Sequence, residues 1–153
     1  MRILGLDMAT KTGYALYDTK LGGITESGVQ DFAKKRGESN GIMFLRFRKW
    51  LNELVDLCGT VDLIVYEQAH FRGGAATEIC VGLQTRAQEI AAQVGIESAP
   101  VKTNTLKKFA TGNGRAGKDE MVEAAKPFLG RDPVDDNEAD AVHVAMWGAK
   151  EFY

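Results

Sequence analysis

The sequence predicts an α/β fold, a mixed five-stranded sheet flanked by helices on both faces. Three observations predict it. Three short β-type segments open the chain one after another, as a meander does. Two further apolar segments then alternate with long helical stretches, as strand–helix–strand crossovers do. The last third of the chain carries helical periodicity broken only by turn residues.

Residues 2–7 (RILGLD) form the first strand, with Ile3, Leu4 and Leu6 apolar and an acid, Asp7, at the end. After the turn in MATKTG, residues 13–17 (GYALY) return as the second strand. Gly22 and Gly23 turn the chain again into a third strand over 27–32, which leads to a basic loop at 34–36. Ser39 caps a long helix that reaches about residue 57 and is closed by Gly59. Its stripe of Met43, Phe47, Trp50, Leu51, Leu54 and Cys58 has helical spacing and is a core face. Residues 61–66 (VDLIVY) make a buried strand running into Glu67, followed by the loop QAHFRGG. An alanine-rich helix over 75–94 ends at Gly95, and a short strand over 96–99 precedes Pro100. Helices over 103–110, 118–129 and 137–151 finish the chain, the first two separated by the loop TGNGRAG.

At 153 residues the chain fits one domain, 1–153. A hydrophobic share of 44% and a charged share of 26% are those of an ordinary water-exposed globular protein. No apolar run reaches membrane-spanning length, and the opening apolar segment is too short for a signal peptide, so a cytoplasmic location is expected. Cys58 and Cys80 form no CxxC pair and have no histidine cluster beside them, which points to reduced thiols rather than structural zinc. The absence of a GxxxxGK[ST] pattern argues against a nucleotide cofactor.

A net charge of −2 excludes a generic basic coat for nucleic acid. The distribution is more informative. Residues 102–118 carry Lys102, Lys107, Lys108, Arg115 and Lys118 and no acid. Residues 119–140 carry Asp119, Glu120, Glu123, Asp132, Asp135, Asp136, Glu138 and Asp140 against only Lys126 and Arg131. Two solvated faces would give this pattern; so would a metal-using nuclease, with cations for phosphate and acids for metal.

Asp7 and Glu67 each end an apolar strand, and Asp140 lies early in the last helix. Charge beside a core is costly unless neutralised, and divalent cations do this with few carboxylates. Positions three and four apart on a helix share a face, so Asp136 and Asn137 can lie near Asp140 while Glu138 points elsewhere. Asp136 at a helix start can equally serve as an N-cap. His143, one turn beyond Asp140, reads first as a partly buried helix histidine, with a water or phosphate contact near the metals as the alternative.

The segments LGLDMATKTGYAL, IVYEQAHF, LKKFATGNGRAGKDEM and NEADAVHVAMW, in this order, resemble the RuvC-like Holliday junction resolvases of the ribonuclease H-like superfamily, especially the short phage and prophage forms. They span nearly the whole chain. The resemblance implies an endodeoxyribonuclease that nicks branched DNA in pairs as a homodimer, using two Mg²⁺ ions per active site, with Mn²⁺ as a substitute. It implies Asp7, Glu67 and Asp140 as catalytic metal ligands, with Asp136 or Asn137 in the fourth position, where many members carry an acid. It implies phosphate contacts from Lys107 and Lys118, helped by Lys108 and Arg115, and base stacking by Phe71 or His70. Two other readings stay open on the sequence: a nuclease of the same fold for RNA–DNA hybrids or flaps, and a branched-DNA-binding protein with a weakened metal site, which Asn137 favours.

Overall fold

The computed structural model describes residues 1–70 and 73–153. Strands β1 (Arg2–Asp7), β2 (Lys11–Asp18) and β3 (Gly23–Asp31) form an antiparallel meander. Helix α1 (Asn40–Cys58) leads to β4 (Leu63–Glu67), parallel to β1, and α2 (Gly74–Val94) leads to β5 (Glu97–Val101), parallel to β4. The sheet order is β3-β2-β1-β4-β5. Helices α3 (Thr103–Thr111), α4 (Lys118–Leu129) and α5 (Asp136–Phe152) complete the chain.

The mixed five-stranded sheet expected from the sequence is present, with three boundary differences. Strands β2 and β3 start earlier than their apolar residues suggest, because the ladder from Lys11↔Asp31 to Asp18↔Gly23 recruits polar residues through backbone pairing. Strand β5 runs through Pro100, where β4↔β5 pairing continues. The position tolerates proline because β5 lies at the sheet edge. Helix α5 begins one residue earlier than expected and is capped by Asp135, whose carboxylate accepts from the Glu138 N–H at 3.0 Å. Asp136 is therefore the first helical residue and is not the cap.

Side chains alternate across the sheet. Leu4, Leu6, Ile64 and Tyr66 pack on one face against Phe47, Leu51, Leu83 and Ile90 of α1 and α2. Ile3, Leu63 and Val65 pack on the other against Leu106, Met121 and Val144 of α3, α4 and α5. Each such fully buried side chain contributes about 1.5–3 kcal/mol.

Helix α5 lies unusually close to the sheet. A methyl group at Gly5 would sit 2.5 Å from the Ala145 nitrogen and 2.6 Å from the Ala141 oxygen. At Gly13 it would sit 1.9 Å from the Asn137 oxygen. The helix answers these glycines with small residues: Ala139, Ala141 and Ala145 are fully buried. Its start is anchored by Glu138, which is 0% exposed. That carboxylate accepts from Arg131 Nη2 at 2.6 Å, Ser27 Oγ at 2.8 Å and the Val134 N–H at 2.5 Å. Burial alone would raise its pKa; the hydrogen bonds outweigh burial and hold it below the usual carboxylate range. The buried His143 donates from Nε2 to the Met121 carbonyl at 2.9 Å, tying α5 to α4.

Gly13→Ala and Gly5→Ala are expected to cost about 1–3 kcal/mol each by overpacking, read as a lower midpoint in urea unfolding. Gly23→Ala, which meets nothing within 4 Å, is the control and is expected to stay near the wild-type midpoint.

Candidate active site

The carboxyl ends of β1 and β4 place two acids side by side. The last paired residues are Leu6↔Tyr66, so Asp7 and Glu67 each stand one residue beyond that pair. By strand alternation both share the face of Ile3, Gly5, Leu63 and Val65, which α5 covers. The close seat of α5 on Gly5 and Gly13 then brings Asp140, one turn into the helix, down onto them. One oxygen from each of Asp7, Glu67 and Asp140 lies within 4.8 Å of the others.

This crowding shows in the protonation of the group. The Asp7 carboxyl is pushed well above its usual range, first by burial and then by Glu67, Asp140, Asp136 and Asp135. Asp140 is pushed up to about 7 by burial, then by Glu67 and Asp136, while Lys107 and Lys118 pull it back down. Asp140 Oδ1 is buried with no protein hydrogen-bond partner. Three clustered carboxylates, mutually repelling and with an orphaned oxygen, fit a hard divalent cation, which binds oxygen ligands and offsets their repulsion.

The other expected residues divide. Asp136 stands at the helix start, close enough to raise both Asp7 and Asp140, and its carboxylate lies 3.7 Å from Lys118 Nζ. Asn137 donates its amide to Asp135 at 3.2 Å, at the edge of the cluster. Lys107 and Lys118 both act on Asp140, so the basic segment does reach the acidic site. Lys118 is 84% exposed and free to reach outward. Lys108 instead lines a separate hollow with Phe109, Trp147 and Lys150, and Arg115 is exposed on the loop before α4. His143 faces Met121 and packs as the buried helix histidine that the sequence favoured. Phe71 lies outside the described residues.

Two neighbours carry no sequence signal of their own. Thr103, first residue of α3, donates its hydroxyl to Glu67 Oε1 at 2.5 Å and meets His70 Nε2 at 2.7 Å. Cys80 of α2 joins Asp7, Glu67 and His70 in lining a cleft of about 350 Å³. Burial and then the nearby Asp7 and Glu67 raise its thiol, so it stays protonated at neutral pH.

No family model matches the chain. A crossover junction endodeoxyribonuclease RuvC of Anaeromyxobacter sp. (strain K) is 30% identical over 156 residues, a match spanning 95% of this chain and 79% of that protein. The chain belongs to the RuvC family. The RuvC of Caldicellulosiruptor saccharolyticus is 29% identical across 95% of this chain and 90% of its own length. A shorter match to the RuvC of Anaeromyxobacter dehalogenans, 37% identical over 81 residues, spans 52% of this chain and 44% of that protein. Among solved structures, Thermus thermophilus RuvC in complex with a Holliday junction substrate superposes with a TM-score of 0.81 over 97% of this chain and 93% of that one, at 18% identity. A second T. thermophilus RuvC structure gives 0.78. The ribonuclease H-like sheet is thus the RuvC fold.

The raised carboxyl of Asp140 has a consequence for stability. Its folded pKa of about 7 exceeds the ordinary aspartate value of 3.8. Below the unfolded value both states are protonated and nothing is lost. As pH rises from about 4 to about 7 the folded state is progressively penalised, and the penalty is complete above that window. Asp140→Asn should therefore raise the metal-free Tm at pH 8 by a few degrees and leave it nearly unchanged at pH 4, measured by differential scanning calorimetry.

Proposed function

We propose that this RuvC-family chain is a Mg²⁺-dependent crossover junction endodeoxyribonuclease that acts as a homodimer, each protomer nicking one of two symmetric strands of a four-way DNA junction. The observation that carries this reading is the cluster of Asp7, Glu67 and Asp140 with Lys107 and Lys118 acting on it. Branched DNA as substrate rests on the names of the RuvC relatives and of the junction-bound neighbour. No described helix is long and apolar enough to cross a membrane, and a cytoplasmic setting goes with DNA as substrate.

Asp7, Glu67 and Asp140 would hold two Mg²⁺ ions, with the Asp136 carboxylate adding charge from the helix start and the Asn137 amide oxygen available as a neutral ligand. Such ions, when bound, lower the pKa of a water so that it can attack the phosphodiester and stabilise the leaving oxygen. Lys107 and Lys118 hold the phosphate against the acidic site; Lys118, exposed and tethered only loosely to Asp136, can exchange that partner for DNA. Lysine suits this role because it supplies a point charge without reading sequence. Lys108 and Arg115 extend the cationic track, and His70, in the cleft beside Asp7 and Glu67, is placed to meet unpaired bases; base stacking by Phe71 is carried over from the family resemblance alone.

Because Asp7 and Asp140 are raised in the free protein, cation binding displaces protons. The Mg²⁺ concentration for half-maximal cleavage should fall as pH rises from 6 to 8, a change read from initial rates at each pH.

The reading is tested by incubating the protein with a labelled four-way junction, a flap, an RNA–DNA hybrid and a linear duplex, with and without Mg²⁺. Paired symmetric nicks in the junction alone, requiring metal, are expected. Asp7→Asn should bind the junction with near wild-type affinity and cut below detection. Lys118→Ala should weaken junction binding and lower its salt dependence by about one charge. Preference for the hybrid or the flap, or cleavage by a folded Asp7→Asn protein, would contradict the proposal.

A further inference from the structure

Among the described residues, Glu67 is the one member of the acidic triad held by a neutral side chain from another element. The terminal torsion of a glutamate is broad, so packing alone sets its carboxylate poorly. Here the Thr103 hydroxyl donates to Oε1 at 2.5 Å. A hydroxyl has one proton, and Glu67 takes it. His70 Nε2, at 2.7 Å, must therefore be the donor to Thr103 Oγ1, which fixes the direction of the chain from His70 to Thr103 to Glu67.

The frame that holds this chain is rigid on three sides. The Gln68 N–H donates to the Val101 carbonyl at 2.8 Å, extending the β4–β5 ladder one residue past the last strand pair. The Ala69 N–H donates to Gln84 Oε1 at 3.0 Å, pinning the loop to α2. Thr103 itself opens α3 two residues after β5 ends. Glu67, His70 and Thr103 thus come from a strand end, the loop after it and a helix start whose separations the sheet sets.

We propose that Thr103 is a positioning residue for metal binding: its hydroxyl, oriented by His70, fixes the rotation of the Glu67 carboxylate so that it meets a cation in the geometry shared with Asp7 and Asp140. The inference rests on the reading of the triad as a divalent-metal site. Groups that orient a metal ligand through a hydrogen bond typically change metal affinity by about 10–100-fold when lost. Valine keeps the shape of threonine and removes the hydroxyl; serine keeps the hydroxyl and removes the methyl.

The test is thermal stability of the full chain titrated with MnCl₂, a readout of binding to the folded state that does not depend on cleavage. Thr103→Val should need roughly tenfold more Mn²⁺ than wild type for the same rise in Tm. Thr103→Ser should stay within about twofold of wild type, and His70→Ala should fall between them. With DNA present, Thr103→Val should recover most of its cleavage rate at saturating metal, and its metal-free junction binding should not change. A Thr103→Val protein that titrates like wild type, or a serine variant as impaired as the valine one, would overturn the proposal. A wild-type chain with no Mn²⁺ response would instead overturn the metal reading of the triad, and this inference with it.

Discussion

Mutual repulsion among three carboxylates is the constraint around which this structure is arranged. Asp7, Glu67 and Asp140 each bring an oxygen within 4.8 Å of the others, in a place where water cannot fully screen them. Folding by itself gains nothing from this. The carboxyls respond by holding protons, Asp140 up to about 7 and Asp7 well above its usual range. A carboxylate cluster that destabilises its own fold is the signature of a site tuned for a charge it does not itself contain.

The rest of the fold supplies the force that keeps the acids together. Two acids stand at the ends of parallel neighbours, so sheet pairing sets their separation. The third arrives on a helix that approaches the sheet to backbone contact at Gly5 and Gly13 and meets the Val65 and Ile3 side chains at its own Gly148. The Glu138 carboxylate, buried and bonded to Arg131, Ser27 and the Val134 N–H, locks the start of that helix. Removing Arg131 would strand the buried Glu138 carboxylate, whereas Arg131, 48% exposed, stays solvated when Glu138 is lost, so the cost falls on one side of the pair. Two acids two residues apart on one helix thus play opposite parts: Glu138 is satisfied by the protein, and Asp140 is left with an unpartnered oxygen.

Much of this was legible in the sequence, and what was not has a physical reason. Strand-end acids after apolar runs gave away Asp7 and Glu67, and helical spacing separated Asp140 from Glu138. The starts of β2 and β3 were missed because backbone pairing, which leaves no side-chain pattern, extends them over polar residues. Asp135 rather than Asp136 caps α5, a choice decided by chain direction at the loop and invisible in a run of two aspartates. Thr103 could not be picked out: a lone threonine at a helix start usually reads as a cap, and its partner Glu67 is 36 residues away. Gly5 and Gly13 carried a signal, glycine inside a strand, that marks close backbone approach and here identifies the helix-facing side of the sheet. Lys108, adjacent to Lys107 in sequence, lines a different hollow with Phe109 and Trp147, a separation that helix geometry sets and adjacency in sequence hides.

The most direct test of this account is anomalous diffraction from crystals of the protein soaked in Mn²⁺. Manganese peaks are expected in contact with the carboxylates of Asp7, Glu67 and Asp140, absent from an Asp7→Asn crystal treated in the same way. Crystals at saturating Mn²⁺ with no metal density among these three residues would contradict it.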